Sequence, residues 1–254
     1  MTLSKTNELN RSIKKSLAVL TCFNEDNMEL RLSEIASKLD MPLPTASRII
    51  NALLEEGFIE REEKKKIYRL GVKCYYLGAI AQKAGLLRNI AYEQMAALRN
   101  QFNETVNLYV RDGKYRVVYD QMECSHSLRR SVRIGEKFPL YVGASGRCLM
   151  AYMLQSEVRE ILKDAVKITE HTIVDIEPVN ARLEEIRRNG YDISVSEREE
   201  GILCVASTIL EAWKKAAGVI ALTGPSFRFT DDVLSVAIPA VKNAAAAVSA
   251  RLNE

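Results

Sequence analysis

The stretch "LPTASRIINALLEEGFIEREEKKKIYRL", residues 43–70, joins a helical pattern to a charged hairpin pattern. Pro44 suits the first turn of a helix, where its missing N–H is not needed. Ile50 and Leu53 recur at helical spacing, and Gly57 is a typical residue just beyond a helix end. Two short β-rich pieces, "FIERE" and "IYRL", follow and are joined by "EKKK". The stretch therefore predicts a helix that leads into a two-stranded wing.

Two further helices are predicted upstream. Residues 12–23, "SIKKSLAVLTCF", place Ile13 and Leu17 at helical spacing, and residues 31–41, "RLSEIASKLDM", carry an apolar stripe with Ser33 as the expected N-cap. The order helix, helix, tight turn, helix and wing is that of a winged helix-turn-helix. In that motif the second helix of the pair lies in the major groove of DNA.

Polar side chains on this predicted recognition helix suit contact with DNA. Arg48 or Asn51 can read guanine or adenine edges, and their neighbours can donate to phosphates. Taken alone, the lysine run of the wing is typical of a solvated turn, whereas its helix-turn-helix surroundings favour phosphate contact. The expected DNA-binding residues are Lys14, Lys15, Thr45, Ser47, Arg48, Asn51, Lys64, Lys65 and Lys66.

Composition sets limits on the other functions. The chain has 254 residues, enough for one large or two ordinary domains, and its net charge of +3 argues against a global polycation. Five cysteines, an odd number without a C-x-x-C pair, argue against a disulfide framework or a four-cysteine zinc site and favour a reducing cytoplasm. Residues 1–15 show no signal-peptide pattern, and no run approaches the roughly 18 apolar residues of a membrane span.

The remainder of the chain predicts an α+β domain. Residues 71–87, "GVKCYYLGAIAQKAGLL", read as a connecting helix whose apolar face packs either on a sister chain or on its own chain. Alternating strands and amphipathic helices follow, including a strand over residues 127–135 and a helix capped by Asn180, and no GxGxxG or P-loop implies a nucleotide cofactor. We expect a DNA-binding domain at 1–70, a linker helix at 71–85 and a mainly antiparallel α+β domain at 86–254.

Several stretches in the same order resemble the IclR family of bacterial transcription regulators along nearly the whole chain. They are "RSIKKSLAVL", "LSEIASKL", "ASRIINALLEEGFI", "YRLG", "RIGEKFPLYVGASGRCLMAYM", "NARLEEIRRNGYDISVSEREEGILCVAS" and "ALTGP". The resemblance implies a winged helix, a linker helix used in dimerisation, and a GAF- or profilin-like domain that binds a small organic effector. It also implies dimers or tetramers on a double-stranded DNA operator.

The resemblance assigns effector-site residues where the motifs match. The backbone amides of Ala144 and Ser145, before the family's helix-opening pair, would hold a carboxylate, as free N–H groups at a helix N-terminus can. Cys204 matches the family's pocket cysteine. Leu128 looks like an apolar pocket wall, with ordinary core packing as the alternative.

Three positions depart from the family pattern. Ser194 stands where well-studied members have an acidic residue, and Ala221 and Thr223 replace two serines. We therefore expect a less polar pocket and an effector that is larger than glyoxylate or pyruvate, or partly aromatic.

Other reactive or charged residues have two interpretations each. Cys204 as a nucleophile would need a nearby base, and the two histidines fall in no recognisable motif, so a pocket-lining thiol is favoured. His126 with Cys124 makes too few ligands for a metal site, and Trp213 is expected to pack. The run "SEREEG", residues 196–201, either closes over the effector or forms a solvated loop.

The arginines of residues 129–133 either serve an anionic ligand or protect a strand edge. The favoured function is an effector-responsive DNA-binding regulator in the cytoplasm of a bacterium or archaeon, associated with the nucleoid. It needs no metal, cofactor or membrane. The alternatives are a ligand-independent DNA-bridging protein and an enzyme with a fused DNA-binding module, for which no catalytic constellation is found.

Overall fold

A computed structural model describes the backbone of residues 3–24 and 26–254, and the side chains of 11–24, 26–80 and 85–254. The expectation that residues 1–15 are not a signal peptide falls partly on residues outside these described ranges. The chain divides into two units, residues 1–84 and 85–254.

The first unit contains four helices and three short strands in its described part. The helices are α1 (Leu3–Thr21), α2 (Leu32–Lys38), α3 (Leu43–Glu55) and α4 (Val72–Ala84), and the strands are β1 (Leu30–Arg31), β2 (Ile59–Glu62) and β3 (Ile67–Leu70). The strands form an antiparallel sheet in the order β1-β3-β2. Val19, Ile35, Ile50 and Ile59 are almost completely buried between these helices and the sheet. This is the winged helix-turn-helix that the sequence predicts.

Local hydrogen bonds and backbone conformations fix the ends of α2 and α3. At the start of α2, the N–H of Arg31 donates to Glu34 Oε2 at 2.6 Å, so the expected Ser33 cap is wrong by two residues. Asp40 takes a left-handed conformation with φ of 47° between the two helices. After α3, Gly57 has φ of +73°, a conformation that glycine adopts without strain. The chain thereby turns directly from the helix into the wing.

The second unit is a six-stranded antiparallel sheet with helices on both faces. Its strands are β4 (Thr105–Asp112), β5 (Tyr115–Met122), β6 (Lys137–Pro139), β7 (Tyr191–Val195), β8 (Ile202–Glu211) and β9 (Lys215–Pro225), in the order β6-β5-β4-β9-β8-β7. Its α-helices are α5 (Leu86–Phe102), α6 (Gly143–Met150), α7 (Gln155–Leu162), α8 (Ile176–Asn189) and α9 (Asp231–Leu252).

The alternation of the strands separates two cores. On β9, Val219 and Ala221 face the layer of α6, α7 and α8, whereas Ile220 and Leu222 face α5 and α9. Successive side chains on a strand point to opposite faces, so Thr223 lies on the α6 face with Ala221. This face carries the cavity described below.

Helix α9 is long and apolar enough, by length and composition alone, to cross a membrane. Ala237, Val241, Ala245 and Val248 nevertheless lie at 0–1% exposure in the α5–α9 core. These contacts are typical of a core helix in a globular unit.

Two predicted elements of this unit are wrong. Residues 127–135 form no strand; the segment folds back so that Arg130 and Val132 are buried, and Gly135 N–H donates to Val118 O at 2.8 Å. Helix α8 begins at Ile176, after Asp175, instead of at Asn180. Thr230 caps α9, since its side chain accepts from the N–H of Val233.

Gly146 permits the close approach of α6 to the segment before it. A Cβ at this position would overlap the carbonyl group of Leu140, lying 2.8 Å from its carbon. We expect Gly146→Ala to lower the free energy of unfolding by at least about 1–3 kcal/mol, because backbone atoms must move. Thermal denaturation of the purified protein measures the change.

Gly78→Ala is the matched control. Gly78 lies within α4 and a Cβ there meets nothing within 4 Å. Alanine should stabilise this helix by up to about 1 kcal/mol. A Gly146→Ala protein as stable as the Gly78→Ala protein would contradict the close approach.

Candidate functional site

A small cavity of about 40 Å³ opens between the N-terminus of α6 and the sheet face beneath it. Its walls come from β4, β5, β7, β8, β9, the segment around Arg130 and the loop between β7 and β8. This space is larger than a single water molecule needs, roughly 10–15 Å³, and is suited to a short ligand.

The first turn of α6 supplies backbone donors to this cavity. Gly143, with φ of +75°, donates its N–H to Glu197 Oε2 at 3.1 Å. The amides of Ala144 and Ser145 follow in the first helical turn, where an N–H has no partner within the helix. Because the helix dipole places partial positive charge here, this end of the cavity favours an anion.

Arg147, completely buried on α6, anchors the wall behind the cavity. Its Nε donates to Asp192 Oδ2 at 2.7 Å, and its Nη2 donates to Glu197 Oε1 at 2.8 Å. Asp192 also accepts from Arg182 Nε at 2.6 Å. Burial lowers the pKa of Arg147, but the hydrogen bonds of Glu197 and the charge of Asp192 outweigh it and raise the pKa above its usual value. These four side chains form a charge-balanced network.

Arg116 on β5 is 4% exposed and has no carboxylate partner in the described part of the chain. Its Nη1 donates to the carbonyl oxygens of Pro139 at 2.8 Å and Val142 at 2.6 Å, and its Nε has no acceptor. The guanidinium lies over the rings of Tyr109 and Phe138, 5.4 and 5.2 Å from their centroids. Burial lowers the pKa of Arg116, yet a guanidinium stays protonated at neutral pH.

Two more arginines line the cavity. Arg130 Nη1 donates to Glu199 Oε2 at 2.5 Å, while its Nη2 is buried without a partner. Arg198 lies 3.5 Å above the centre of the Phe138 ring. Burial, followed by the charges of Arg130 and Arg116, lowers the pKa of Arg198 to about 10. Positive charge therefore converges on a small volume, which favours an anionic occupant.

Cys204 on β8 faces Thr223 on β9 across the cavity floor. Burial raises the pKa of the Cys204 thiol, and a hydrogen bond with Thr223 offsets this only in part. No histidine of the described residues lines the cavity. A protonated thiol without a base has the character of a wall residue, which agrees with the favoured sequence interpretation.

The structure brings five of the seven predicted effector-site residues together. Ala144, Ser145, Ser194, Cys204 and Thr223 line the cavity. Ala221 is completely buried in the core of the same sheet face and does not reach the cavity. Leu128 is 61% exposed and lies outside the lining, so it forms neither a pocket wall nor core packing.

The expectation that this pocket is less polar than those of other family members stays a prediction, while the cavity of this chain is lined by several charged side chains. The expectation rested on Ser194, Ala221 and Thr223, whereas the charge comes from other elements. Arg116 was missed although the burial alternation of β5 places it on the inward face with Val118.

The run "SEREEG", predicted either to close over the effector or to form a solvated loop, contributes Glu197, Arg198 and Glu199 to the cavity lining.

Residues with other predicted roles lie elsewhere. His126 Nε2 lies 3.2 Å from Asn103 Nδ2, and no group of three or more metal-ligating side chains occurs among the described residues. Trp213 is 97% exposed at the β8–β9 hairpin, with φ of 62°, so the expected packing role is wrong.

The predicted DNA-binding residues of the first unit lie on its surface. On α3, Arg48 and Asn51 are exposed, and Thr45 and Ser47 are partly exposed. The wing tip exposes three lysines, of which Lys65 pairs with Glu62 at 3.2 Å. Of the remaining members of the predicted set, Lys14, Lys64 and Lys66 are exposed and Lys15 is partly exposed.

A winged helix-turn-helix followed by a domain with a cationic cavity defines a class of ligand-responsive DNA-binding regulators. Protein-family models agree: the IclR helix-turn-helix domain matches residues 12–63, and the bacterial transcriptional regulator IclR C-terminal domain matches residues 80–250. The chain belongs to the IclR family of bacterial transcriptional regulators, whose named relatives are regulators and not enzymes.

Individual relatives extend over nearly the whole chain. The HTH-type transcriptional regulator KipR of Bacillus subtilis is 29% identical over 245 residues, which cover 96% of this chain and 97% of KipR. The crystal structure of an IclR transcriptional regulator from Alicyclobacillus acidocaldarius is 26% identical, covers 96% of this chain and 99% of its own, and gives a TM-score of 0.87.

A third structure shares the fold. It is an IclR homologue from Microbacterium hydrocarbonoxydans complexed with 4-hydroxybenzoate, 20% identical, covering 95% of this chain and 98% of its own, with a TM-score of 0.83.

The buried network generates a stability prediction. Asp192→Ala removes a carboxylate that faces both Arg147 and Arg182, so we expect the free energy of unfolding to fall by about 3–5 kcal/mol. Urea denaturation measures the loss. Glu160→Ala removes an exposed carboxylate that pairs with Lys114 at 3.2 Å, and should change stability by less than about 0.5 kcal/mol. Equal effects of the two substitutions would contradict a structural role for the network.

Proposed function

We propose that this regulator binds a double-stranded DNA operator through α3 and the wing, and that a small organic acid in the α6 cavity modulates this binding. The observation that carries the effector half is Arg116, a buried guanidinium without a carboxylate partner among the described residues, beside the first turn of α6. The proposal places the protein in the cytoplasm of a bacterium or archaeon, associated with the nucleoid.

The surface of α3 supports the DNA-binding half. Arg48 and Asn51 lie one helical turn apart on the exposed face, while Ile49 and Ile50 hold the opposite face in the core. A bidentate arginine can read a guanine edge, and lysines neutralise phosphates without reading sequence. Base discrimination therefore falls to α3 and general affinity to the wing.

A matched pair of variants separates these roles. Arg48→Ala should cost about 1–3 kcal/mol on the best operator and reduce discrimination among operator variants. Lys65→Ala should weaken binding to all sequences alike and reduce the salt slope by about 1. Fluorescence anisotropy on DNA selected from a randomised duplex pool measures both. Unchanged discrimination in Arg48→Ala, or a sequence-selective loss in Lys65→Ala, would contradict the assignment.

Exposed apolar side chains support self-association as a dimer or tetramer. Tyr75, Tyr76 and Ile80 on α4 are 72%, 58% and 65% exposed, and Ile13 and Leu17 on α1 are 51% and 57% exposed. Large apolar side chains left exposed along a helix, as on α4, are typical of an interaction site. Helix-turn-helix proteins commonly bind paired half-sites as dimers, so a second copy is the proposed occupant.

The arginines of the cavity favour an organic acid, and experiment has to determine the size of that acid. As described, it holds a short ligand, whereas the sequence pattern favoured one larger than glyoxylate or pyruvate. The Microbacterium relative is complexed with an aromatic acid, so the aromatic class stays in the comparison.

Operator affinity measured with and without a panel of aliphatic and aromatic acids tests the coupling. We expect one class to change the operator Kd by about 5–150-fold, the usual range for coupled sites. Ser145→Pro would remove an α6 donor but risks the fold. Arg116→Met is therefore the effector-site variant. It should abolish the effect of the acid on operator affinity and leave operator affinity without acid unchanged. Operator binding that no acid alters would favour the ligand-independent DNA-bridging alternative.

A further inference from the structure

Both carboxylates that line the cavity are already occupied. Glu197 accepts from buried Arg147 and from the Gly143 N–H, and it balances charge within the network behind the cavity. Glu199 accepts from Arg130 Nη1 at 2.5 Å. Neither carboxylate is free to neutralise a further cation.

Two of the lining arginines lack a close counter-charge. Arg116 forms no ion pair with any described residue, and its hydrogen bonds go to backbone carbonyls. The carboxylate nearest to Arg198 belongs to Glu136, at 3.8 Å, and is partly exposed. The cavity wall therefore carries one positive charge without a counter-charge, that of Arg116, and a second, that of Arg198, which only a partly exposed carboxylate at 3.8 Å offsets.

The same group contains donors that nothing satisfies. Arg116 Nε and Arg130 Nη2 are buried without an acceptor, on residues that are 4% and 9% exposed. Buried donors in folded proteins are normally paired, so an unsatisfied pair at one cavity points to a missing acceptor group. Carboxylate oxygens match guanidinium donors in geometry and charge.

We propose that the effector is a short dicarboxylate, an inference that rests on the proposed effector function. One carboxylate binds the α6 amides of Ala144 and Ser145. Arg116 lies beside this turn, because a Cβ built on Gly143 would be 4.0 Å from Arg116 Nη2. The second carboxylate binds Arg130 and Arg198. The small cavity volume restricts the carbon chain between them to a few atoms.

Calorimetric titration of the full-length protein with matched ligands tests the second charge. Malonate, succinate and 2-oxoglutarate are each compared with their monomethyl esters, which keep the carbon skeleton and lose one negative charge. We expect at least one diacid to bind about tenfold or more tightly than its ester, the strength of one charged hydrogen bond. Pyruvate, 4-hydroxybenzoate and phosphoenolpyruvate complete the panel.

A pair of arginine variants locates that charge. Arg198→Gln should weaken binding of the preferred diacid about tenfold and leave its monoester within about twofold. Arg129→Gln is the control, because Arg129 pairs with Glu123 at 2.9 Å away from the cavity lining, and it should leave both ligands unchanged.

The outcomes separate this inference from the proposed function. A diacid and its monoester that bind equally, a monocarboxylate that binds more tightly than every diacid, or an equal loss of both ligands in Arg198→Gln would overturn the dicarboxylate but keep an acid effector. If phosphoenolpyruvate bound more tightly than every diacid, the second anionic group would be a phosphate, and the dicarboxylate proposal would be overturned. Absence of binding by every acid would overturn both.

Discussion

The buried charge of Arg147 is the constraint on which the second unit depends. A guanidinium at 0% exposure is stabilised by carboxylates at hydrogen-bonding distance, and Asp192 on β7 and Glu197 in the following loop supply them. Because Glu197 also accepts from Gly143, the loop is held against the first turn of α6. Arg198 follows Glu197 directly in the chain, so the ion pair between Arg147 and Glu197 also fixes the position of Arg198 at the cavity.

The antiparallel sheet converts this constraint into a binding surface. Its period of two assigns one set of side chains to the α5–α9 core and the other to α6, α7 and α8. Cys204 and Thr223 belong to the second set and lie opposite each other on β8 and β9. Arg116 enters the same layer from β5. The cavity thus combines groups that are separated by about a hundred residues in sequence.

Sequence patterns predicted most of the fold because the elements follow local rules. The helix-turn-helix, the wing and the alternating strands are determined by apolar spacing and by turn residues such as Gly57. Residues 127–135 also alternate, but the segment folds back, and Arg130 pairs with the exposed Glu199 of the β7–β8 loop. Long-range pairing of this kind leaves no local signal, which explains why Leu128 was misplaced. Arg116 did leave a signal, as a charge on the inward side of an apolar strand.

The hairpin between β8 and β9 presents Trp213 almost entirely to solvent, and this is the only tryptophan in the sequence. Its emission therefore arises from a single indole in water, with no contribution from a buried ring. Any surface that covers this hairpin would shift the emission to shorter wavelength, whereas occupation of the cavity, which no indole lines, would leave it largely unchanged. The chain thus carries an intrinsic optical label for contacts at one defined point of its second unit.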